Sequence, residues 1–420
     1  MRILIISQWF DPEPADVKGL PFARELARRG HEVVVITGFP NYPGGKVYPG
    51  YRIKCWERES RDGIDVIRVP LYPSHGLSKW GRILNYTSFA LAASTIGLFV
   101  AGRADVVYIY HPPATVALPA LLARLLWRTP CVIDIADLWP DAIQATGMIR
   151  NATILRAIGS FSNIVNRLVN RIVVLSPGFR QRLLERGLPA KKVEVIYNWS
   201  RMDGAPPTTA VLAGHEAVLL KGKFNVLFAG NMGPAQALST VVATAGIMRD
   251  SHREVQFVFV GGGIDAEALR ASASRLPNVL FLPRRHPSEM PPLFEAAGAL
   301  LVHLRDEPHF AITIPSKTQD YLAAGKPVIM AVRGDAAQIV LRSGGGVICE
   351  PEQPAQLAAA IERLLSLSEA ERAAMGRAGR DYYTRNLSLG VGVDRFLALF
   401  RELQAARRRN QGTGQSPRSK

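Results

Sequence analysis

A chain of 420 residues, 48% hydrophobic and 20% charged, has the composition of a globular protein and the length for two or three domains. That balance excludes global disorder, a collagen and a disulfide-stapled miniprotein. Its three cysteines, Cys55, Cys131 and Cys349, lie far apart with no CxxC. They are expected as reduced core thiols of a cytosolic protein, not as a zinc site or a disulfide framework.

The net charge of +16 is unevenly spread: residues 1–200 carry +10, residues 201–400 carry +1 and residues 401–420 carry +5. Such asymmetry points to an anionic surface on one side of the molecule, membrane or nucleic acid. Between Ala142 and Val193, nine basic residues, among them Arg167, Arg171 and Arg182, face one acid, Glu185. The plainer reading of that run is a solvated helix face. Met1 runs straight into the apolar Ile3–Ile6 stretch with no charged leader, so no signal peptide is expected. The uncharged stretch from Ile83 to Gly102 holds Asn85, Thr87, Ser88, Ser94 and Thr95, which is polar for a membrane span. A buried helix, or one lying at a bilayer interface, is expected there.

Apolar runs of strand length alternate with helical stretches from the start. RILIIS (2–7) is a strand, PFARELARRG (21–30) a helix ending at Gly30, and HEVVVITG (31–38) a second strand. DVIRVPL (65–71), DVVYIYH (105–111), PCVIDI (130–135), RIVVLS (171–176) and VEVIYN (193–198) continue the series. A second series runs through FNVLFAG (224–230), EVQFVFVGGG (254–263), NVLFLP (278–283), ALLVHL (299–304), KPVIMAV (326–332) and GVIC (346–349). This alternation predicts α/β architecture with two parallel sheets covered on both faces. The expected organisation is a Rossmann-like domain over 1–200, a Pro/Gly/Thr-rich linker over 201–223 and a second Rossmann-like domain over 224–385. A helix over 386–409 would cross back to the first domain, and 410–420 would be a disordered basic tail. Ligands of such sheets bind at the carboxyl ends of the strands, so the cleft between the halves is the expected site.

No GxGxxG follows the first strand, and Walker A, HExxH, GxSxG, DxD and His/Cys clusters are absent. The ExE at Glu57 and Glu59 reads as surface decoration of a polar hairpin, so neither metal nor cofactor is expected. The segment TIPSKTQDYLAAGKPVIMA (313–331) is the most informative. Ser316 reads as a helix cap with Gln319 as its capping-box partner, and Lys317 adds a full charge to the first turn. Asp320, one turn further, is placed to accept from a ribose diol. The plain alternative is a well-capped connection. LFAGNMGPAQALSTVVATA (227–245) predicts a loop at Gly230, Asn231 and Gly233 and a helix from about Pro234. The small residues of VFVGGG (258–263) would let a ligand approach at Gly262. Three such loops on one domain favour a nucleotide diphosphate.

In their order, PFARELARRGHEV, NRIVVLSPGF, VEVIYN, LFAGNMG, VFVGGG, NVLFLP and SKTQDYLAAGKPV resemble glycosyltransferase family 4, whose fold is the two-domain GT-B. TGFPNYPGGKVYPGY (37–51), DLWPDA (137–142), GNMGPAQ (230–236) and IPSK (314–317) resemble its bacterial envelope-polysaccharide enzymes of the L-fucosamine transferase type. The resemblance implies metal-free, retaining transfer from a nucleotide diphosphate sugar, probed at Gly230, Asn231, Gly233, Gln236, Gly262, Arg284, Pro315, Ser316, Lys317 and Asp320. It puts the acceptor, a polyprenyl-diphosphate-linked saccharide, near Gly19, Asn41, Tyr42 and Trp139. The second glutamate of the family's E-x7-E motif, which holds the ribose, is matched by Asp320, and the first falls on Ile312. The family's arginine and lysine after the first strand of the second domain are missing, with Asn231 and Gln236 in that loop, so Lys317 takes over the charge. The histidine expected after 130–135 is replaced by Ala136-Asp137. Asp137 would orient the sugar or steady a developing cation, or simply cap the WPDAIQA helix.

These readings together give a UDP-sugar-dependent enzyme, cytoplasmic and peripheral on the inner face of the bacterial plasma membrane, with no nucleic-acid partner. A GT-B sugar-nucleotide 2-epimerase would share both halves of the fold without needing a basic, apolar first domain. A nucleic-acid-binding protein would fit the charge but leaves the three phosphate-type loops unexplained.

Overall fold

The computed structural model describes every residue except 15–16, 75–78, 112, 146–150, 204–210, 213 and 413–420. The chain divides into two units, one of Met1–Tyr197 with Gly392–Lys420, the other of Asn198–Val391.

The first unit is built on strands β1 (Arg2–Ile6), β2 (Glu32–Gly38), β3 (Glu57–Arg61), β4 (Ile64–Val69), β5 (Val106–His111), β6 (Cys131–Ile135), β7 (Arg171–Val174) and β8 (Val193–Val195). They form one sheet in the order β3-β4-β2-β1-β5-β6-β7-β8. Every pairing is parallel except β3 with β4. The central strands are near-continuous Val/Ile runs because helices cover both faces. β3 has none of that pattern; its ERESR sequence is an edge strand, turned back by Asp62 and Gly63, both at positive φ (50° and 80°). Its Glu59 accepts from the buried Arg68 guanidinium at 2.7 Å, so half of the ExE pair is a structural partner and not decoration.

The helix Leu20–Arg28 and the long helix Leu389–Gly412 cover one face of this unit, with Phe22, Tyr108, Phe396 and Phe400 in ring contact. Under them lies a fully buried ion pair, Lys18 Nζ to Asp134 Oδ2 at 2.5 Å. The Tyr108 hydroxyl donates to the same oxygen at 2.7 Å, and the ammonium sits 5.1 Å from the Phe396 ring centre. Burial alone would push the Lys18 ammonium towards neutrality; Asp134 opposes it. Deleting one member leaves the other charge buried alone. Asp134→Ala is therefore expected to lower unfolding free energy by about 3–5 kcal/mol, measured by urea titration. An unchanged midpoint would show the pair to be dispensable.

The second unit has six parallel strands, β9 (Phe224–Asn231), β10 (Val255–Gly262), β11 (Val279–Leu282), β12 (Ala299–His303), β13 (Val328–Ala331) and β14 (Gly346–Ile348). Their order is β11-β10-β9-β12-β13-β14. Phe228, Phe257, Phe259, Leu301 and Ile329 join Ile361 and Leu364 in its core.

The stretch read as a linker belongs to this unit. Within it lies the helix Gly214–Leu220, whose Glu216 is buried and accepts from Arg285. At the other end the chain is tied to its own entry point. The Ser200 N–H donates to the Tyr383 hydroxyl at 2.9 Å, and that hydroxyl donates to Asp203 Oδ2 at 2.5 Å. The same Asp203 oxygen accepts the Leu389 N–H at 2.7 Å. The last helix runs on to Gly412, past the expected end at 409; the rest of the expected tail lies outside the described residues. Of the three cysteines, Cys131 is buried and Cys349 half-buried, but Cys55 is exposed, outside any core.

Candidate functional site

The carboxyl ends of β9 and β10 pair Gly230 with Gly261 and Asn231 with Gly262. Gly230 (φ +134°) and Gly261 (φ +132°) occupy backbone conformations open to glycine. A Cβ on Gly261 would lie 2.2 Å from the Gly230 carbonyl oxygen, and one on Gly263 would lie 2.2 Å from that of Met232. These glycines therefore serve strand-to-strand approach. Gly262 is the one whose Cβ position faces open space.

After Gly233 the chain makes a single 3-10 turn, Pro234–Gln236, not the long helix expected from Pro234. Ala237 at φ +44° breaks the run, and the helix begins at Ser239. Gln236 turns its side chain inward, where Oε1 accepts the Gly233 N–H at 3.1 Å. Asn231 is exposed.

The nine-residue helix Ser316–Ala324 carries the charge. Pro315 is its N-cap and no side chain caps it, so the expected Ser316–Gln319 capping box does not form. Pro315 fixes the extended entry (φ −60°, ψ 137°), and Ser316 becomes the first helical residue. Lys317 lies across Gly230: a Cβ there would sit 2.8 Å from Lys317 Cε and 3.3 Å from Nζ. The ammonium is 4.1 Å from the Phe228 ring centre, a cation–π contact. Burial, with the Arg201 guanidinium behind it, pushes the Lys317 pKa down to about 8, against the opposing pull of Asp320. An ammonium desolvated but still charged at neutral pH, at a helix N-terminus and beside the open Gly262, is able to receive an anionic group such as a diphosphate.

Asp320 does not stand free towards a ribose as expected. Its Oδ1 accepts from the Ser200 hydroxyl at 2.7 Å and from the Arg201 N–H at 3.0 Å. Burial pushes its pKa up while these donors and the Arg201 charge pull it down. Tyr321, next along, holds β9 directly, its hydroxyl accepting the Ala229 N–H at 2.9 Å. Arg284 is exposed after the edge strand β11, two strands away from Gly230.

One supporting residue carries no sequence signature. His303, buried at the end of β12, accepts the Glu352 N–H on Nε2 at 3.2 Å and meets the Gln236 carbonyl oxygen with Nδ1 at 2.7 Å. An imidazole that accepts on Nε2 must be neutral and donate through Nδ1. Burial favours that neutral form, lowering the pKa from the ordinary histidine range. His303 thus pins the 233–237 turn from behind, helped by the Arg305 N–H on the Ala235 carbonyl at 2.9 Å.

The residues expected near an acceptor lie in the first unit. Gly19 is the N-cap of Leu20–Arg28, directly after the buried Lys18. Asn41 is buried and spent on the fold, its N–H donating to Glu13 Oε1 at 2.7 Å and its Oδ1 accepting from Asn85 at 3.3 Å. Glu13 also accepts the Tyr42 N–H at 2.7 Å, and burial pushes it up to about 7. Tyr42 is half-buried, its ring 4.8 Å from that of Trp9. Asp137 is exposed beyond β6; the helix it would have capped starts only at Asp141. Trp139 meets the ring of buried His111 edge-on at 5.3 Å. Desolvation lowers the His111 pKa to about 3, so it stays neutral. No cluster of metal-binding side chains occurs among the described residues.

Two parallel-sheet α/β units, the second with a cationic helix N-terminus at its strand ends, have the architecture of a GT-B glycosyltransferase. Residues 20–199 match the glycosyl transferase 4-like domain and residues 223–367 the glycosyl transferases group 1 domain; the chain belongs to these glycosyltransferases. It is 26% identical over 401 residues to the Escherichia coli K12 colanic acid biosynthesis glycosyl transferase WcaI, covering 92% of this chain and 96% of that one. It is 25% identical to the D-inositol 3-phosphate glycosyltransferase of Corynebacterium diphtheriae, over 87% of this chain and 86% of the other. Among solved structures, sucrose-phosphate synthase from Thermosynechococcus elongatus superposes with a TM-score of 0.68 at 17% identity, covering 97% and 100% of the two chains. Anabaena HepE, solved with UDP and glucose, gives 0.64 at 16% identity over 95% and 99%.

Two outcomes follow. A bound diphosphate favours charged Lys317, so UDP affinity should be greatest below about pH 8 and fall as Lys317 deprotonates above it, by calorimetry across pH. Lys317→Met should remove both the affinity and its alkaline limb. His303→Ala should weaken UDP about tenfold, with partial recovery in His303→Asn, which keeps a donor for the Gln236 carbonyl. Wild-type affinity in both His303 variants would show the turn to be self-supporting.

Proposed function

We propose that this glycosyltransferase is a retaining, metal-independent enzyme that uses a UDP-sugar, carrying an N-acetylated deoxyhexosamine. Its acceptor is a polyprenyl-diphosphate-linked saccharide in O-antigen, capsule or exopolysaccharide synthesis, at the inner face of the bacterial plasma membrane. The observation that carries the donor half is Lys317 laid over Gly230 beside the open Gly262. UDP in HepE and the role of WcaI in colanic acid biosynthesis support the donor class and the pathway type.

In such a reaction the bond from the anomeric carbon to the diphosphate oxygen breaks as the acceptor hydroxyl forms its bond on the same face. The departing diphosphate takes the acceptor's proton. Negative charge grows on the leaving group, so a fixed ammonium and helix N-terminus stabilise the transition state more than the ground state. No protein base is required for this route. Asp137, exposed at the end of β6, is the carboxylate we assign to orient the sugar or steady its cationic character.

The test is incubation with a panel of UDP-sugars, with and without a polyprenyl-diphosphate saccharide, reading products by mass spectrometry and anomeric configuration by NMR. Transfer with retention, undiminished in excess EDTA, is expected. Epimerisation of the donor without acceptor, or a strict Mg²⁺ or Mn²⁺ requirement, would overturn the reading.

A further inference from the structure

In the first unit, residues Lys79–Ala92, Ala93–Gly97 and Leu98–Ala101 run as one continuous helix with a π-helical middle. By length and composition its Trp80–Ala101 stretch could cross a membrane. It is fastened to its own sheet instead. Phe89, Ala93, Gly97 and Leu98 are buried, and a Cβ on Gly97 would lie 2.9 Å from Ile36.

The opposite face is bare. Trp80 (76% exposed), Leu84, Leu91 (67%) and Phe99 follow one another at helical spacing, a stripe roughly 28 Å long. The two polar residues within that stripe, Thr87 and Thr95, are exposed yet turn their hydroxyls inward. Thr87 Oγ1 donates to the Ile83 carbonyl at 2.7 Å and Thr95 Oγ1 to that of Leu91 at 2.9 Å. Back-bonding of this kind is dispensable in water and satisfies the hydroxyl where water is scarce.

Two neighbouring helices extend the face. Phe99 meets Trp127 of Ala117–Trp127 at 6.0 Å, and that helix exposes Leu125 (78%). Its Arg124 guanidinium reaches the Leu168 carbonyl at the end of Ala152–Leu168, which exposes Ile164 and Leu168. Across the three helices there are five basic residues and no acidic one. Large exposed apolar residues on three adjoining helices whose sequences carry basic and no acidic residues fit an anionic bilayer surface.

We infer that these three helices form one platform that seats the first unit on an anionic lipid bilayer, lying in the interface and not spanning it. This rests only on surface chemistry and holds whether or not the donor and acceptor assignments above do. The basic run expected to do this work does so only in part. Arg171 is paired with Glu402, Arg182 with Glu185 and Arg186 with Asp141, whereas Arg156 and Arg167 stand exposed on the platform helix.

The experiment is flotation of the full chain with vesicles of phosphatidylcholine alone or with added phosphatidylglycerol, beside sedimentation equilibrium without lipid. Wild type should bind the anionic vesicles at least tenfold better than the neutral ones, less so at high salt. The variant Leu91→Asp with Leu125→Asp should lose at least tenfold, with its melting curve and UDP affinity unchanged. Arg156→Glu with Arg167→Glu should lose the preference for anionic lipid. No recruitment of wild type, binding unaffected by the Asp pair, or a dimer that the Asp pair dissociates without any lipid binding would each overturn the inference.

Discussion

An ammonium laid over a bare α-carbon is the constraint around which the second unit is arranged. Lys317 fits only because position 230 has no side chain, and position 230 can hold its backbone only as glycine. The helix Ser316–Ala324 then ties three separate parts of the unit together. Tyr321 fixes the end of β9, Asp320 fixes the entering chain at Ser200 and Arg201, and Gly325 closes the helix where Arg380 donates to the carbonyls of Ala323 and Ala324. The Lys317 charge is thereby held by the same nine residues that organise the scaffold. Little reorganisation is left to be done when substrate arrives.

The first unit uses burial differently. Its loops at the strand ends are held by buried polar groups. Glu13 gathers the N–H groups of Phe10, Asn41 and Tyr42; Asn85 bridges Gln8, Asn41 and the Tyr72 carbonyl. Arg68 spans Glu59 and the carbonyls of Gly38 and Asp11. Networks satisfied in this way are costly to disturb and give a loop one conformation. One unit thus carries a fixed charge at its strand ends, and the other carries loops held by buried polar contacts.

Much of this was legible in the sequence because parallel strands buried on both faces read as unbroken Val/Ile runs. The strands from RILIIS to GVIC all occur where the pattern put them. β3 was legible only as part of a polar hairpin and not as a strand of the sheet, since ERESR pairs through its backbone at a sheet edge and has no apolar face. The place of Lys317 in a helical first turn was legible. The surroundings of Asp320 were not, because its partners Ser200 and Arg201 are more than a hundred residues away. His303 left no signal at all: a lone histidine ending an apolar strand shows its role only when the 233–237 turn folds over it. The helix expected from Pro234 failed on a single backbone angle at Ala237, which composition does not encode. The apolar character of the stripe from Trp80 to Phe99 was understated because sequence counts a threonine hydroxyl without knowing where it points.

The chain enters the second unit and leaves it at points joined through Tyr383 and Asp203. A module whose two ends are stitched to each other behaves as a cassette. Its two junctions with the host unit lie side by side, so it can be set into another gene with its ends already held together, and the host unit keeps both of its own flanks. Evolution can therefore exchange one half of such an enzyme while leaving the other untouched, so that new specificities are combined by shuffling, not by redesigning a fold.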